Sequence, residues 1–257
     1  MQHFFADRSA IQGNKIYLEG PDLNHMKNVL RMKPGEDVQI SDGEGVSYLC
    51  CIDGYEEDRA VLDILKMLEN DTELPSRITL FQGLPKGDKM EWIVQKAVEL
   101  GAYAVVPFAA KRSVVKLDEK KAGKKLSRWQ AIAKGAAEQS GRGIVPQVHT
   151  VMTFEEALRK AGEMDVLMIP YELEEGMTET VRCVEKIEPG QSIGIFIGPE
   201  GGFEREEVER AKAAGAVPVS LGKRILRTET AGLTVLSILM YHLESRSSCV
   251  SSQEPES

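Results

Sequence analysis

From Arg77 onward, short apolar runs alternate with longer amphipathic segments, and this alternation restricts the chain more than any other feature. Strands read at Ile78–Gln82, Ala104–Phe108, Val166–Pro170, Ser192–Ile197 and Val217–Leu221, with Gln147–Thr150 extended. Helices read at Asp88–Leu100, Asp118–Ser140, Phe154–Ala161, Thr178–Ile187, Glu204–Ala214 and Thr230–Glu244. Strands separated by helices are joined by crossovers, so they lie parallel in an α/β sheet. The last helix is apolar on most of its circumference, through Ala231, Leu233, Val235, Leu236, Ile238, Leu239, Met240 and Leu243. A helix of that kind is buried on more than one side. Its own sheet covers one side, and a second copy of the chain is the expected cover for another.

The first 70 or so residues have a different grain. Val38-Gln39-Ile40-Ser41 alternates, Asp42-Gly43-Glu44-Gly45 is a turn signal, and Val46–Ile52 returns as a strand. Ala60–Leu65 is another strand, and one short helix from Pro21-Asp22 places Leu23, Met26, Val29 and Leu30 on its apolar face. Lys27 and Arg31 share a different face. Adjacent Cys50 and Cys51 point to opposite faces of their strand, which suits reduced thiols better than a disulfide. The polar, proline-terminated stretch Asn70–Pro75 divides a β module, residues 1–72, from the α/β region, residues 73–246. Residues 247–257 lack apolar content and are expected to be a disordered tail.

Charge is distributed unevenly. The net charge of −8 resolves into −8 for residues 1–73, +8 for residues 74–144 and −8 for the remainder. A basic block within an acidic chain is the electrostatic footprint of a polyanion site. Its centre is the long helix, where Lys120, Lys124 and Arg128 form a stripe at i, i+4 spacing beside Lys121 and Lys125, preceded by Lys111, Arg112 and Lys116. The opposite side carries Ala122, Leu126, Trp129, Ala133 and Ala136. The longest apolar stretch, Ala231–Tyr241, is shorter than the ~20 residues a membrane span needs. The N-terminus meets charge at once, at Asp7 and Arg8, unlike a signal peptide. A cytoplasmic protein without membrane association is expected. His3, His25, His149 and His242 are scattered and no Cys/His cluster exists, so no metal site is expected.

The glycine-rich loops follow the late strands. Gly83-Leu84-Pro85-Lys86-Gly87-Asp88-Lys89, after the first strand of the α/β region, is neither a dinucleotide fingerprint nor a P-loop. Ile197-Gly198-Pro199-Glu200-Gly201-Gly202-Phe203 leaves an apolar strand and enters a helix with more glycines than a tight turn needs, which favours a ligand loop. A branched side chain at Gly198 is expected to occupy ligand space. Leu221-Gly222-Lys223-Arg224-Ile225-Leu226-Arg227-Thr228-Glu229-Thr230-Ala231 repeats the arrangement after the next strand. A helix cap explains one of its threonines but not its basic residues. Glu138-Gln139-Ser140-Gly141-Arg142-Gly143 ends the long helix, with a glycine as natural C-cap and Glu138 and Arg142 left as polar groups.

Taken in order, Leu84–Met90, Glu138–Arg142, Ile197–Phe203 and Leu221–Ala231, with His25, Val29-Leu30-Arg31, Gly35 and Asp42-Gly43 near the start, resemble the RsmE-type 16S rRNA (uracil-N3)-methyltransferases of the SPOUT superfamily. The resemblance spans about 240 residues. It implies a SPOUT α/β trefoil-knot domain preceded by a small PUA-like RNA-binding β-barrel domain. It implies S-adenosyl-L-methionine as cofactor, held by Met168, Pro170 and Glu172, by Ile197, Gly198, Pro199 and Gly201, and by Leu221, Gly222, Ile225, Leu226 and Thr228. It implies a homodimer acting on 16S rRNA of the small ribosomal subunit, with RNA contacts expected from Lys27, Arg31, Lys86, Lys89, Arg112, Lys120, Lys124 and Arg128.

Methylating a uridine N3 requires loss of its proton, by a general base or through cations that stabilise the deprotonated ring. Glu138, Glu200 and Glu229 are the candidate bases, and Arg142 and Arg227 the candidate stabilisers. Two other readings stay open. One is a SPOUT enzyme acting on tRNA or a ribose 2′-hydroxyl; the other is a non-catalytic, ribosome-associated RNA-binding protein.

Overall fold

A computed structural model of the chain describes residues 1–69, 71–113, 119–174 and 176–251, the side chains of residues 119, 120 and 247–251 excepted. Lys116 and the side chain of Lys120 therefore lie outside the described residues. The chain forms two compact units: Met1–Glu73 with Ala137–Val145, and Leu74–Ala136 with the chain from Pro146 onward.

The first unit is a six-stranded sheet of β1 (Gln2–Phe5), β2 (Ile11–Gln12), β3 (Lys15–Glu19), β4 (Asp37–Ser41), β5 (Ser47–Tyr55) and β6 (Arg59–Leu68), ordered β1-β4-β5-β6-β3-β2. Among the described strands of this sheet, β1 and β4 pair in parallel and the other pairs are antiparallel. The period of two puts Ile16, Leu18, Val38, Ile40, Cys50, Ile52, Ala60 and Leu62 into one core with Phe4 and Met26. Cys50 is buried and Cys51 half-buried, both free, and burial pushes the Cys50 thiol up to about 12. The β4–β5 turn closes as expected: one carboxylate oxygen of Asp42 accepts from the backbone N–H of Glu44 (2.8 Å) and of Val46 (3.0 Å).

The short helix departs from its reading. Helix α1 (Gly20–Asn24), with Pro21 in its first turn, widens into a π-turn over His25–Val29, where the Leu30 N–H reaches the His25 carbonyl (2.9 Å). The extra residue in that turn rotates Val29 off the buried face, and it is 62% exposed while Met26 is fully buried. Residues 137–145 join this unit through Glu73. The Glu73 carboxylate accepts from the Arg142 guanidinium (2.5 Å) and from the backbone N–H of Gly143 (3.1 Å) and Ile144 (3.4 Å).

In the second unit every strand pairing among the described residues is parallel. The strands are β7 (Arg77–Gly83), β8 (Ala104–Ala109), β9 (Gln147–Val148), β10 (Met152–Thr153), β11 (Val166–Pro170), β12 (Ser192–Ile197) and β13 (Val217–Val219). Their order is β10-β8-β7-β12-β11-β13, with β9 beside β8. The crossovers carry α2 (Lys89–Glu99), α3 (Glu119–Ser140), α4 (Phe154–Ala161), α5 (Thr178–Glu185) and α6 (Arg205–Ala213), and α7 (Thr228–Ser251) follows β13. Strand β12 sits between β7 and β11, so the first strand of the unit is internal and the C-terminal ends of β11, β12 and β13 open on one edge. Phe81 and Phe196 stack at 4.4 Å across β7 and β12, and Phe108, Phe154 and Phe203 complete an aromatic core. Helix α7 buries Val235, Leu236, Leu239 and Leu243, while Tyr241 is 75% exposed. It continues through Ser251, past the point where the tail was expected to start. Residues 252–257 of that tail lie outside the described residues.

Candidate functional site

A cavity of about 410 Å³ lies in the second unit where β11, β12 and β13 end. Three chain segments line it: Pro170–Glu172 after β11, Ile197–Glu200 with Gly202 and Phe203 after β12, and Ser220–Thr228 after β13. Lys89 and Ala231 complete the lining. Ligand sites of open parallel sheets form at such carboxyl ends, because successive crossovers leave a crevice there.

The loops after β12 and β13 are anchored by packing and hydrogen bonds. Phe203, 5% exposed, sinks into the aromatic core and pins the end of the β12 loop. Gly202, with φ of 66°, closes a turn by donating its N–H to the Pro199 carbonyl (2.9 Å). The Arg112 guanidinium braces the same loop, donating to the Gly201 carbonyl (2.9 Å) and to Glu204 (2.9 Å). Arg112, an expected RNA contact, thus also supports this loop. The β13 loop is tied to α5 by Thr180, whose hydroxyl donates to the Ser220 carbonyl (2.7 Å) and accepts from its N–H (3.0 Å). The two loops meet where Thr228 donates to the Gly198 carbonyl (2.6 Å).

The expected cofactor residues converge, with two exceptions. Pro170, Glu172, Ile197, Gly198, Pro199, Leu221, Gly222, Ile225, Leu226 and Thr228 all line the cavity. Met168 lies deeper in β11, 1% exposed, and Gly201 is not among the lining residues. A methyl group on Gly198 would meet the backbone of Gly202 (3.2 Å) and the Phe203 ring (3.3 Å). Its own loop therefore already constrains Gly198.

The candidate catalytic residues are divided between the two units. Glu200 and Arg227 line the cavity, and Glu229 stands beside it on Lys89. Glu138 and Arg142 belong to the other compact unit, and Arg142, 3% exposed, is engaged by Glu73. Lys89 bridges Glu200 (3.0 Å) and Glu229 (3.3 Å), so it is a member of this cluster. Burial pushes the Glu200 carboxyl up, but its own N–H, the Lys89 ammonium and the Lys86 N–H outweigh that and hold it below the usual carboxylate range. Arg128 of the expected basic stripe is paired with Glu91 (2.7 Å), and Lys124 is exposed. Lys27 lies 5.4 Å over the Tyr55 ring, Arg31 is exposed with φ of 55°, and the Lys86 side chain is exposed.

Sequence reasoning missed Tyr171, Phe203, Ser220, Lys223, Arg224 and Ala231 in the lining. It had singled out both loops that carry most of them, but the side chains facing the cavity depend on loop geometry. Lys223, Arg224 and Arg227 form no ion pair among the described residues, which leaves three available cations at the cavity. No three His, Cys, Asp or Glu side chains converge to hold a metal among the described residues. No described helix is long and apolar enough to cross a membrane.

Comparison with known proteins finds two families along the chain. Residues 72–240 match the RNA methyltransferase domain family, and residues 18–65 match the RNA methyltransferase PUA domain family. The ribosomal RNA small subunit methyltransferase E of Bacillus subtilis is 40% identical over 95% of this chain and 98% of its own length. The protein of the same name from Synechocystis is 33% identical over 90% of this chain and 74% of its own. Among solved structures, the ribosomal RNA small subunit methyltransferase E from Neisseria gonorrhoeae, bound to S-adenosyl methionine, superposes with a TM-score of 0.83. It is 35% identical over 94% of this chain and 97% of its own. With a PUA-like domain ahead of a SPOUT α/β domain, and relatives of one kind matching nearly its whole length, the chain belongs to the ribosomal RNA small subunit methyltransferase E family.

Proposed function

We propose that this chain transfers a methyl group from S-adenosyl-L-methionine to N3 of a uridine in 16S rRNA of the small ribosomal subunit, as a cytoplasmic homodimer and without a metal. The observation that carries the reading is the cavity at the ends of β11, β12 and β13, built from glycine-rich backbone with an apolar lining. Its volume of about 410 Å³ suits a nucleoside-sized ligand. Backbone groups of Gly198, Leu221, Gly222 and Leu226 would hold the cofactor's polar edges, and Ile197 and Ala231 would cover its apolar surface. When bound, the cofactor supplies an electrophilic methyl group with a positive charge that disappears during transfer. A strongly anionic site would oppose that change. Lys89, paired with both Glu200 and Glu229, offsets one of their two negative charges, and the cations Lys223, Arg224 and Arg227 in the lining offset the other.

The uridine N3 proton must leave, and the ring becomes anionic as it does. Glu200 is a weak base, since hydrogen bonds and Lys89 hold its carboxylate ionised. The larger contribution falls to cations: Arg227 faces the cavity and would stabilise the negative ring. Lys223 and Arg224 beside it would take flanking phosphates. The dimer reading rests on α7, whose exposed Tyr241 and partly exposed Ile238 and Met240 form a second apolar face.

The decisive test uses 16S rRNA lacking the modification, labelled S-adenosyl-L-methionine and nucleoside analysis of the product. Labelled 3-methyluridine is expected, formed at a rate that rises with pH as N3–H becomes easier to remove and then levels off. Label on a ribose oxygen or on carbon 5 would overturn the assignment, as would activity on tRNA alone. Light scattering should report a dimer, and a stable monomer that still binds cofactor would contradict that part of the reading.

A further inference from the structure

The last residue but one of strand β7 is a glutamine that no part of the reaction requires. Gln82 is fully buried, and its amide nitrogen donates to the Gly83 carbonyl (2.9 Å) and to the Thr228 hydroxyl (2.9 Å). Both amide hydrogens are thereby engaged. Its amide oxygen, also buried, has no hydrogen-bond partner among the described residues. Burying an unpaired carbonyl is unfavourable, and an apolar side chain of similar size would avoid the cost. The contacts of this side chain are made by its nitrogen. Through Thr228 that nitrogen acts on the cavity: the hydroxyl that accepts from Gln82 must turn its own hydrogen elsewhere, and it donates to the Gly198 carbonyl (2.6 Å). Gly198 and Thr228 both line the cavity, on different loops, and Gln82 itself does not.

The geometry points to Gln82 as a positioning residue that fixes the rotamer of Thr228 and so locks the β12 and β13 loops together in the form that binds the cofactor. The inference rests on the proposed cofactor site and adds to it a residue outside the cavity. A side chain that only filled space would be replaced by leucine without consequence for the cavity. One that orients Thr228 would not.

The test uses the full-length protein and S-adenosylhomocysteine, chosen because it carries no sulfonium charge, with affinity measured by calorimetry and folding by thermal denaturation. Gln82→Leu should keep a Tm within roughly 4 °C of the parent, since it removes the unpaired oxygen along with the two donors. It should weaken affinity about tenfold, the size expected for one lost oriented hydrogen bond. In a Thr228→Val background the same change should add less than about twofold, because the two residues act as one unit. Gln82→Glu separates orientation from packing: protonated, the acid can donate to Thr228, and ionised it cannot, with burial raising the pKa of that carboxyl. Its affinity should therefore approach the parent's at acid pH and fall as pH rises, along a profile the parent lacks. Gln82→Leu binding within about twofold of the parent would overturn the proposal, and so would a Gln82→Glu profile parallel to the parent's. If Gln82→Leu does not fold, the Gln82→Glu profile decides alone. A parent protein that fails to bind S-adenosylhomocysteine would instead overturn the functional reading, before any variant is compared.

Discussion

A methyl group added at Gly83 tests how tightly the cavity loop is pressed against the sheet. Gly83 ends β7, and its φ lies outside the left-handed region, so alanine there is under no backbone strain. The obstacle is space: the new carbon would stand 2.7 Å from both the backbone nitrogen and the Cδ of Pro199, and 3.0 Å from the carbonyl carbon of Gly198. Ordinary contact begins at 3.4 Å, so one side must give by about 0.7 Å. Neither side is a flexible side chain. Pro199 is ring and backbone, and β7 is held by its pairing of Gln82 with Ile197 and by the Leu84 N–H to the Phe108 carbonyl (2.9 Å). Overpacking of this kind costs about 1–3 kcal/mol. With a Tm shift of about 2–4 °C per kcal/mol for a domain of this size, Gly83→Ala should melt roughly 2–12 °C lower. Because Gly198 and Pro199 line the cavity, S-adenosylhomocysteine affinity in calorimetry should fall at least about tenfold at a temperature where the variant is folded. A Gly83→Ala protein with parental Tm and parental affinity would refute the reasoning, since it would mean that the loop is free to lift.

Gly135→Ala is the opposite case: the position is exposed on helix α3 with nothing within 4 Å, so the substitution should stabilise by about 0.5–1 kcal/mol, and a lowered Tm would contradict this. Lys223→Glu with Arg224→Glu should weaken 16S rRNA binding and flatten its salt dependence by roughly 0.7–0.9 per lost phosphate contact, with an unchanged slope counting against a role in RNA binding. Asp42→Asn probes acid stability. Burial pushes the Asp42 carboxyl up, but the Glu44 and Val46 N–H groups and Arg8 outweigh it and leave its folded-state pKa depressed. A depressed pKa contributes stability that is present above the ordinary carboxylate value and lost as pH falls through the lower folded value. The parent's advantage over Asp42→Asn in urea denaturation should thus be complete at neutral pH and fade below about pH 4. An advantage independent of pH would exclude this linkage.

The alternation of strands and helices, the two glycine-rich loops and the β module were legible in the residues alone, because they follow from local rules. Period two buried Val38 and Ile40 together, and Ile197–Phe203 and Leu221–Thr228 announced themselves by residue types that simple turns do not need. The family followed from those motifs in their order. Local rules failed where the backbone left its standard path, as at Val29, which a π-turn carries off the buried face. They also failed wherever a side chain's role depends on a partner far along the chain. No local pattern announces that Arg142 is paired with Glu73, or that Lys89 lies between Glu200 and Glu229. Gln82 meets Thr228 across 146 positions of sequence, only because β12 inserts beside β7 and brings the start of α7 to the end of that strand. Periodicity states which face of an element is buried. Strand order, and with it the pairing of each buried polar group, is decided by long-range packing that no local pattern contains.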